Sequence, residues 1–339
     1  MDIIPNISSL ITPGISNVGN TCGIDFKQDS VFLPVMYGIF FIIGTPLNLM
    51  ALFGLYRLVK AENVLPVYVI NLLLADLIQL LTLPFWIDYY ANEHYWRFGP
   101  RGCQFMGLFF YISIYAGIFF MCLIALERHM AIVRPLKFQS FRRLKSTWMI
   151  AIGIWVIIMV PPSVAFDSLF PKHNYTLCIE KYPSEASFIT YRLITLTLSF
   201  ILPLSFIVGL HCKTLRSLTT INALLSEEKR RIRGLLTLLV VIFVIVLGPY
   251  HFIGCVKYLG LLIHREACRW EKDIFVFYQL GRGLLSLNSL LDPVLYMFLR
   301  SDFRALVRSY LPCLRTASSL KSSCGTSDPL ERATISTQD

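Results

Sequence analysis

The amino-acid sequence predicts an all-α membrane protein, a seven-transmembrane helix bundle followed by an amphipathic eighth helix. Three observations predict it. Of the 339 residues, 55% are hydrophobic and only 15% charged, where a soluble domain carries about a quarter charged residues. Seven stretches are apolar for the roughly 17–25 residues that a helix needs to cross ~30 Å of hydrocarbon. Basic residues concentrate in alternate connections, as they do when a chain threads a bilayer repeatedly.

Residues 1–30 precede the first span and are expected to lie outside the cell. They lack a basic n-region and a continuous apolar core, so no signal peptide is expected and the first helix serves as its own insertion signal. The spans are predicted at about Val31–Tyr56, Val64–Tyr89, Gln104–Arg128, Thr147–Ala165, Thr190–Cys212, Gly234–Tyr258 and Ile274–Leu299. A large soluble helical protein would instead show polar faces at 3.6-residue spacing, whereas the first, third, fourth and sixth stretches are apolar all round. Residues 31–299 thus form the bundle. Beyond it, Phe303, Leu306, Val307 and Tyr310 share one helical face and arginines another, which predicts an amphipathic helix on the inner leaflet over residues 300–312. Residues 313–339, rich in Ser and Thr, lack core-forming residues and read as a disordered tail.

Arg57, Lys60, Arg134, Lys137, Arg142, Arg143, Lys145, Lys213, Arg216, Lys229, Arg230, Arg231, Arg233 and the arginines of the tail occupy the connections after spans one, three and five and the C-terminal segment. The positive-inside rule then places the N-terminus outside and the tail in the cytosol. The net charge of +10 follows from this topology and not from nucleic-acid binding. Two sequons, at Asn6 and Asn174, fall on the same outer side and are candidate glycosylation sites. Of nine cysteines, Cys22, Cys103, Cys178 and Cys268 are outside, where disulfides persist; four cysteines allow three pairings. Cys313, just past the amphipathic helix, is either a palmitoylation site or a plain thiol.

Charge inside hydrocarbon is costly, so ionisable residues there are functional candidates. Asn48, Asp76 and Asp292 interrupt apolar runs and are expected near mid-membrane, facing inward. Prolines at positions 46, 84, 161, 162, 203, 249 and 293 each remove a backbone hydrogen bond and permit a kink. The adjacent pair Glu127-Arg128 closes a charge-free run from Gln104 to Leu126.

In this order, Asn48, Leu73-Leu74-Ala75-Asp76, Cys103, Glu127-Arg128-His129, Trp155, Pro203, Pro249 and Asp292-Pro293-Val294-Leu295-Tyr296 resemble a rhodopsin-type (class A) G-protein-coupled receptor over about residues 31–311. The resemblance implies a multi-pass plasma-membrane receptor that couples an extracellular ligand to a heterotrimeric G protein, with arrestin and a receptor kinase acting at the tail, and no enzyme activity. It implies a Cys103–Cys178 disulfide and leaves Cys22–Cys268 as a second clasp. Glu127-Arg128-His129 resembles the family's Asp-Arg-Tyr motif, a bistable ion pair that proton uptake by Glu127 would loosen. His211, Pro249, Asp292, Pro293 and Tyr296 complete the activation set that the resemblance implies. Asn48, Asp76, Asn288 and Asp292 are expected to hold either a sodium ion or a water network, with Gly117 in place of a serine common there. Departures from the family are His129 and His211, each in place of a tyrosine, Leu247 in place of an aromatic residue before Pro249, and Asp292 in place of asparagine.

Phe110 occupies the position of the aspartate that binds amines in the family, which argues against an amine ligand. Tyr111, Tyr115, Arg192, Tyr250, His251, Lys257 and Arg282 are expected to line the outer half. Arg192 and Arg282 would either bind a carboxylate or phosphate bidentately or pair internally with Glu180, Glu185 or Asp273. The segments 82–90 and 172–183 resemble the proton-sensing and lysolipid-linked receptors near the purinergic branch. That resemblance makes His94, His173, His264, Asp76 and Asp292 candidate proton sensors, although Ile158 stands where the subgroup's third acid is expected. An anionic lipid, such as a lysophospholipid or oxidised fatty acid, is the favoured ligand, with protons or a nucleotide as alternatives. A phosphate-binding glycine loop, zinc-ligand spacing and a nucleophile elbow are all missing, which argues against an enzyme. The chain shows no internal repeat of the kind transporters carry.

Overall fold

A computed structural model describes residues 22–59, 65–133, 144–164, 177–220, 226–264 and 266–299. The candidate sites at Asn6, His173, Asn174 and Cys313, the amphipathic helix and the tail lie outside them. After a short 3₁₀ turn, Phe26–Gln28, the helices are α1 (Phe32–Val59), α2 (Leu65–Ala91), α3 (Gly99–Val133), α4 (Leu144–Val164) and α5 (Ala186–Thr220). The sixth span consists of α6 (Ser226–Ile242), a π-helical turn (Phe243–Leu247) and α7 (Gly248–Ile263). The seventh consists of α8 (Ala267–Leu284), a 3₁₀ turn (Leu285–Leu287) and α9 (Asn288–Leu299). Six helices of the bundle are long and apolar enough to cross a membrane, and α4 is a shorter apolar helix within the described residues.

The architecture is inside out relative to a soluble protein. Ile42, Leu81, Met149, Ile157, Phe252 and Ile263 face outward with more than half of their surface exposed, while Asn48, Asp76, Gln79, Ser289 and Asp292 are buried at the centre. Burial of amides and carboxylates behind an apolar rim is favourable only where the surroundings are themselves apolar. α1 packs on α2 and α9, α2 on α3, α3 on α5, α5 on α7 and α7 on α8, closing a ring.

Helix limits depart from the expected ones in a consistent direction. α3 starts five residues before Gln104 and runs to Val133, α5 spans Ala186–Thr220 against an expected 190–212, and the seventh span begins at Ala267 instead of Ile274. Hydropathy marks only the stretch in hydrocarbon, whereas the backbone continues to satisfy its hydrogen bonds helically beyond it. Pro46, Pro84, Pro203 and Pro293 sit inside helices. Pro249 is the second residue of α7, one residue past the π-helical turn, and such turns are frequent at functional sites within helices.

At the end of α2 the chain reverses through Glu93 and His94, both with left-handed backbone (φ 51° and 62°). The N–H groups of Glu93 and His94 donate to the carbonyls of Tyr90 and Tyr89, satisfying carbonyls that the helix end would leave orphaned. This turn aims the imidazole of His94 back over the bundle. Disulfides join Cys103 to Cys178 and Cys22 to Cys268, and together they mark one end of the bundle, the disulfide end.

Candidate functional site

Three clusters of buried polar groups stand out. The first ties the disulfide end together. His94, 1% exposed, places Nε2 2.9 Å from Asp29 and Nδ1 2.7 Å from Glu180. Glu180 also accepts from the Tyr89 hydroxyl at 3.2 Å, from Gln279 Nε2 at 3.1 Å and from Arg282. Phe26 stacks on the imidazole at 4.4 Å. Arg282, whose guanidinium lies 5.6 Å from the Trp86 ring, is thereby neutralised by a carboxylate, so it is not a spare cation for a ligand. Of the internal partners expected for the arginines, Glu180 is the one found, and on Arg282 alone. Glu185 pairs instead with Lys181.

The carboxylates flanking His94 outweigh its burial and raise its pKa from 6.5 to about 9. Glu180, despite its burial, is lowered from 4.5 to about 2 by His94 and Arg282. Both groups therefore keep their charge from pH 6 to 8. A group with a raised folded pKa contributes stability fully below its unfolded pKa and loses it as the pH rises through the folded value. For His94 the stabilisation is complete below pH 6.5 and is lost as the pH rises through about 9, for a total of about 3 kcal/mol at 1.36 kcal/mol per pH unit. The Glu180 contribution is complete above pH 4.5 and fades as the pH falls through about 2. Thermal unfolding of the purified protein is expected to show a decline in melting temperature from pH 6.5 to 9 that His94→Gln removes. An unchanged slope in that variant would contradict the assignment.

The second cluster is a cation cage. Arg192 on α5 is 6% exposed. Its Nη2 donates to the hydroxyls of Tyr250 and, at 3.4 Å, Tyr278, and its guanidinium lies 5.3 Å from the Tyr111 ring and 5.9 Å from that of Phe188. Its Nε is buried and has no hydrogen-bond partner. Among the described residues no carboxylate bonds it. Close by, Lys257 pairs with Glu271 at 2.9 Å, the side chains being 5% and 0% exposed, so Lys257 too is already compensated. Tyr115, one helical turn inward from Tyr111, is packed against the core. His251 is built into the α5–α7 contact. It bonds the Leu247 carbonyl at 2.7 Å and Ser199 at 3.2 Å, and it stacks on Phe200 at 5.1 Å. Of the seven expected pocket residues, Arg192, Tyr111 and Tyr250 come together as one cage, while Arg282, Lys257 and His251 are engaged elsewhere. Tyr278, Glu271 and Gln279 were not anticipated, since nothing local in the sequence marks them. His264 lies at the protein surface, stacked on Trp270 at 4.6 Å, apart from His94.

The third cluster is at mid-bundle. Asn48 Nδ2 donates to the carbonyls of Gly44 (2.8 Å) and Ser289 (2.7 Å), Asn288 Nδ2 donates to Asp292 at 3.0 Å, and Ser289 Oγ donates to Gln79 at 3.0 Å. Asn48 Oδ1, Asp76 Oδ2 and Asn288 Oδ1 are buried acceptors with no donor among the described residues. Buried oxygens of this kind need water or a hard cation, so the residues present fit a sodium ion. Gly117 leaves room beside it, since a Cβ there would meet Asn288 Nδ2 at 3.5 Å.

At the opposite end of the bundle, Arg128 Nε donates to Glu127 at 2.7 Å; the side chains are 23% and 1% exposed. His129 Nδ1 lies 2.9 Å from Thr214 Oγ1 on α5, and His211 Nε2 lies 3.5 Å from Thr237 on α6.

A seven-helix ring with this order of motifs defines a class of protein. The chain matches the model of the 7 transmembrane receptor (rhodopsin family) over residues 47–296, and it belongs to that family. It is therefore a G-protein-coupled receptor, a multi-pass protein of the plasma membrane, and the family comprises receptors and not enzymes. Among curated relatives, it is similar to G-protein coupled receptor 68 of Bos taurus, 30% identical over 88% of this chain and 85% of that protein. It is also similar to a purinoceptor of Gallus gallus, at 29% over 86% of this chain and 92% of that one. A third relative is human G-protein coupled receptor 65, at 30% over 81% and 85%.

Proposed function

We propose that the disulfide end faces outside and that the Arg192 cage binds a ligand with one anionic head and an apolar body, of the lysophospholipid or oxidised fatty-acid kind. The observation that carries this reading is a buried guanidinium whose protein partners are phenol oxygens and aromatic faces. Burial of an ion without a counter-charge is costly, and a carboxylate or phosphate on the ligand would meet the guanidinium in a charge-assisted bond. Among the described residues, the buried ions of this end are Arg192, Lys257, Arg282 and protonated His94 against Asp29, Glu180 and Glu271. One positive charge remains, which matches one anionic group better than the several charges of a nucleotide. Tyr111, Phe188, Tyr258 and Tyr278 supply apolar wall.

His94 holds its proton throughout pH 6–8, so in this reading protons modulate the receptor above neutrality and are not its agonist in that range. Asn48, Asp76, Asn288 and Asp292 would hold a sodium ion that places positive charge between the two carboxylates and favours the resting packing. Asn6 and Asn174 as glycosylation sites, Cys313 as a lipid anchor, and the tail as the docking segment for arrestin and a receptor kinase belong to the same reading.

The test is a second-messenger assay in cells over pH 6–8 with oleoyl lysophosphatidylglycerol, whose phosphodiester carries a single charge, a hydroxylated long-chain fatty acid and a nucleoside diphosphate, with and without sodium replaced by choline. A lipid response is expected. Its potency should fall by at least about tenfold, or ~1.4 kcal/mol, in Arg192→Ala at unchanged surface level, and basal output should rise in choline unless Asp76 is replaced by asparagine. Unaltered potency in Arg192→Ala, or a nucleotide response alone, would overturn the reading.

A further inference from the structure

Glu271 lies on α8 and is linked to the cage through Lys257, which meets the face of Tyr278, the ring whose hydroxyl bonds Arg192. Glu271 is fully buried. Its Oε1 accepts from Ser184 twice, from the backbone N–H at 3.1 Å and from Oγ at 2.7 Å, and its Oε2 faces Lys257 Nζ at 2.9 Å. The ammonium of Lys257 is enclosed by three tyrosine rings, Tyr278 at 4.3 Å, Tyr182 at 5.1 Å and Tyr258 at 5.6 Å. The Lys257 backbone is fixed as well. Trp270 donates Nε1 to its carbonyl at 2.9 Å, and the indole fits against α7 only because residue 260 is glycine, where a Cβ would lie 2.2 Å from the ring.

Tyr278 is shared between the two cations. Its hydroxyl is 3.4 Å from Arg192 Nη2 and its face meets Lys257, so one phenol separates the two positive groups. The carboxylate of Glu271 therefore decides whether Tyr278 has one uncompensated cation beside it, Arg192, or two. We infer that Glu271 is a specificity-determining residue, which restricts this receptor to ligands with a singly charged head by neutralising Lys257, and that removing its charge opens the site to doubly charged heads such as phosphate monoesters. The inference rests on the reading of Arg192 as the anion anchor. It concerns which anions are refused, because a buried carboxylate beside Lys257 repels the second charge of a dianion as well as occupying the ammonium.

Glu271→Gln is the informative change. Glutamine keeps an oxygen to accept both Ser184 donors while it removes the charge. The probes are dodecanoate and dodecyl phosphate, which share one tail and differ in head. A phosphate monoester is close to dianionic above its second pKa of about 6, so binding is measured at mildly alkaline pH. The readout is the ligand-induced thermal shift of the full chain in nanodiscs. The affinity of dodecyl phosphate relative to dodecanoate should rise by about tenfold in Glu271→Gln, in line with one added charge-assisted contact, and return to the wild-type ratio in Glu271→Gln with Lys257→Met. An unchanged ratio in Glu271→Gln, or a raised ratio that survives the loss of Lys257, would overturn the inference. Arg192→Ala separates the two ideas. It should weaken both probes together, and if it weakens neither, the anchor reading itself has failed. Binding of neither probe by the wild type would overturn both.

Discussion

Replacing Arg128 by glutamine is expected to reduce ligand-stimulated nucleotide exchange on the G protein by at least about 100-fold, ~3 kcal/mol of lost coupling, at unchanged surface level. The geometry of the pair explains why this residue is the sensitive one. Neighbours in sequence do not face each other on a helix, so the Arg128 side chain must fold back to reach Glu127, and one Nε–Oε2 contact at 2.7 Å holds it there. Glu127 is buried and Arg128 reaches partly out of the bundle, so the guanidinium is the mobile partner. The end of α3 does not depend on it, because His129 fastens this end to Thr214 on α5, and Thr214 in turn donates to the Leu210 carbonyl at 2.8 Å. An arginine that, among the described residues, is held by one local contact on a separately anchored helix is suited to change partners when the bundle opens. The complementary change, Glu127→Gln, weakens the retaining contact and should raise basal exchange a few-fold. Exchange on purified G protein checks both, and full coupling by Arg128→Gln would refute the idea.

Much of this arrangement was legible in the sequence, and the parts that were not have a common cause. Apolar runs declare the spans because nothing else crosses hydrocarbon cheaply. Asn48, Asp76 and Asp292 declare themselves as polar residues in such runs. Both disulfides follow from the family resemblance, whereas cysteine spacing left three pairings open. The state of each buried cation could not be read the same way, because it depends on partners far away in the chain. Arg282 meets Glu180 across 102 positions and His94 meets Asp29 across 65. Local composition makes Arg192, Lys257 and Arg282 look alike, and only the fold separates the one without a carboxylate among the described residues from the two that have one. The π-helical turn before Pro249 is hidden for a related reason. In a regular helix, eight residues overshoot two turns of 3.6, yet one widened turn of about 4.4 residues brings Phe243 and His251 onto one face. There both rings stack on Phe200, at 5.7 and 5.1 Å. That register is set by the partner on α5 and not by the sequence of the sixth span itself.

Glu180→Ala should be the most damaging single change to folding. Its carboxylate is the acceptor for four groups, from the α2–α3 connection (His94), from α2 (Tyr89) and from α8 (Gln279, Arg282). Truncation leaves Arg282 buried without a counter-ion, a loss of about 3–5 kcal/mol, set against a total stability of about 5–15 kcal/mol for folded proteins. The adjoining backbone offers no reserve, since Ile179 is held with left-handed φ at 63°, a conformation costly for a β-branched residue. Most of the receptor should therefore fail to reach the cell surface, and what is purified should melt at lower temperature. If the uncompensated charge is the cause, pairing Glu180→Gln with Arg282→Met should restore much of the surface level, because replacing both members of a buried pair by well-packed neutral groups is often neutral. The defect should be equal at pH 6 and pH 8, as Glu180, held at about 2, is fully ionised at both. Wild-type surface level and melting temperature for Glu180→Ala would show that the hub is not a stabilising element. A defect that the Arg282→Met combination leaves unrelieved would show that its cause is not the stranded charge.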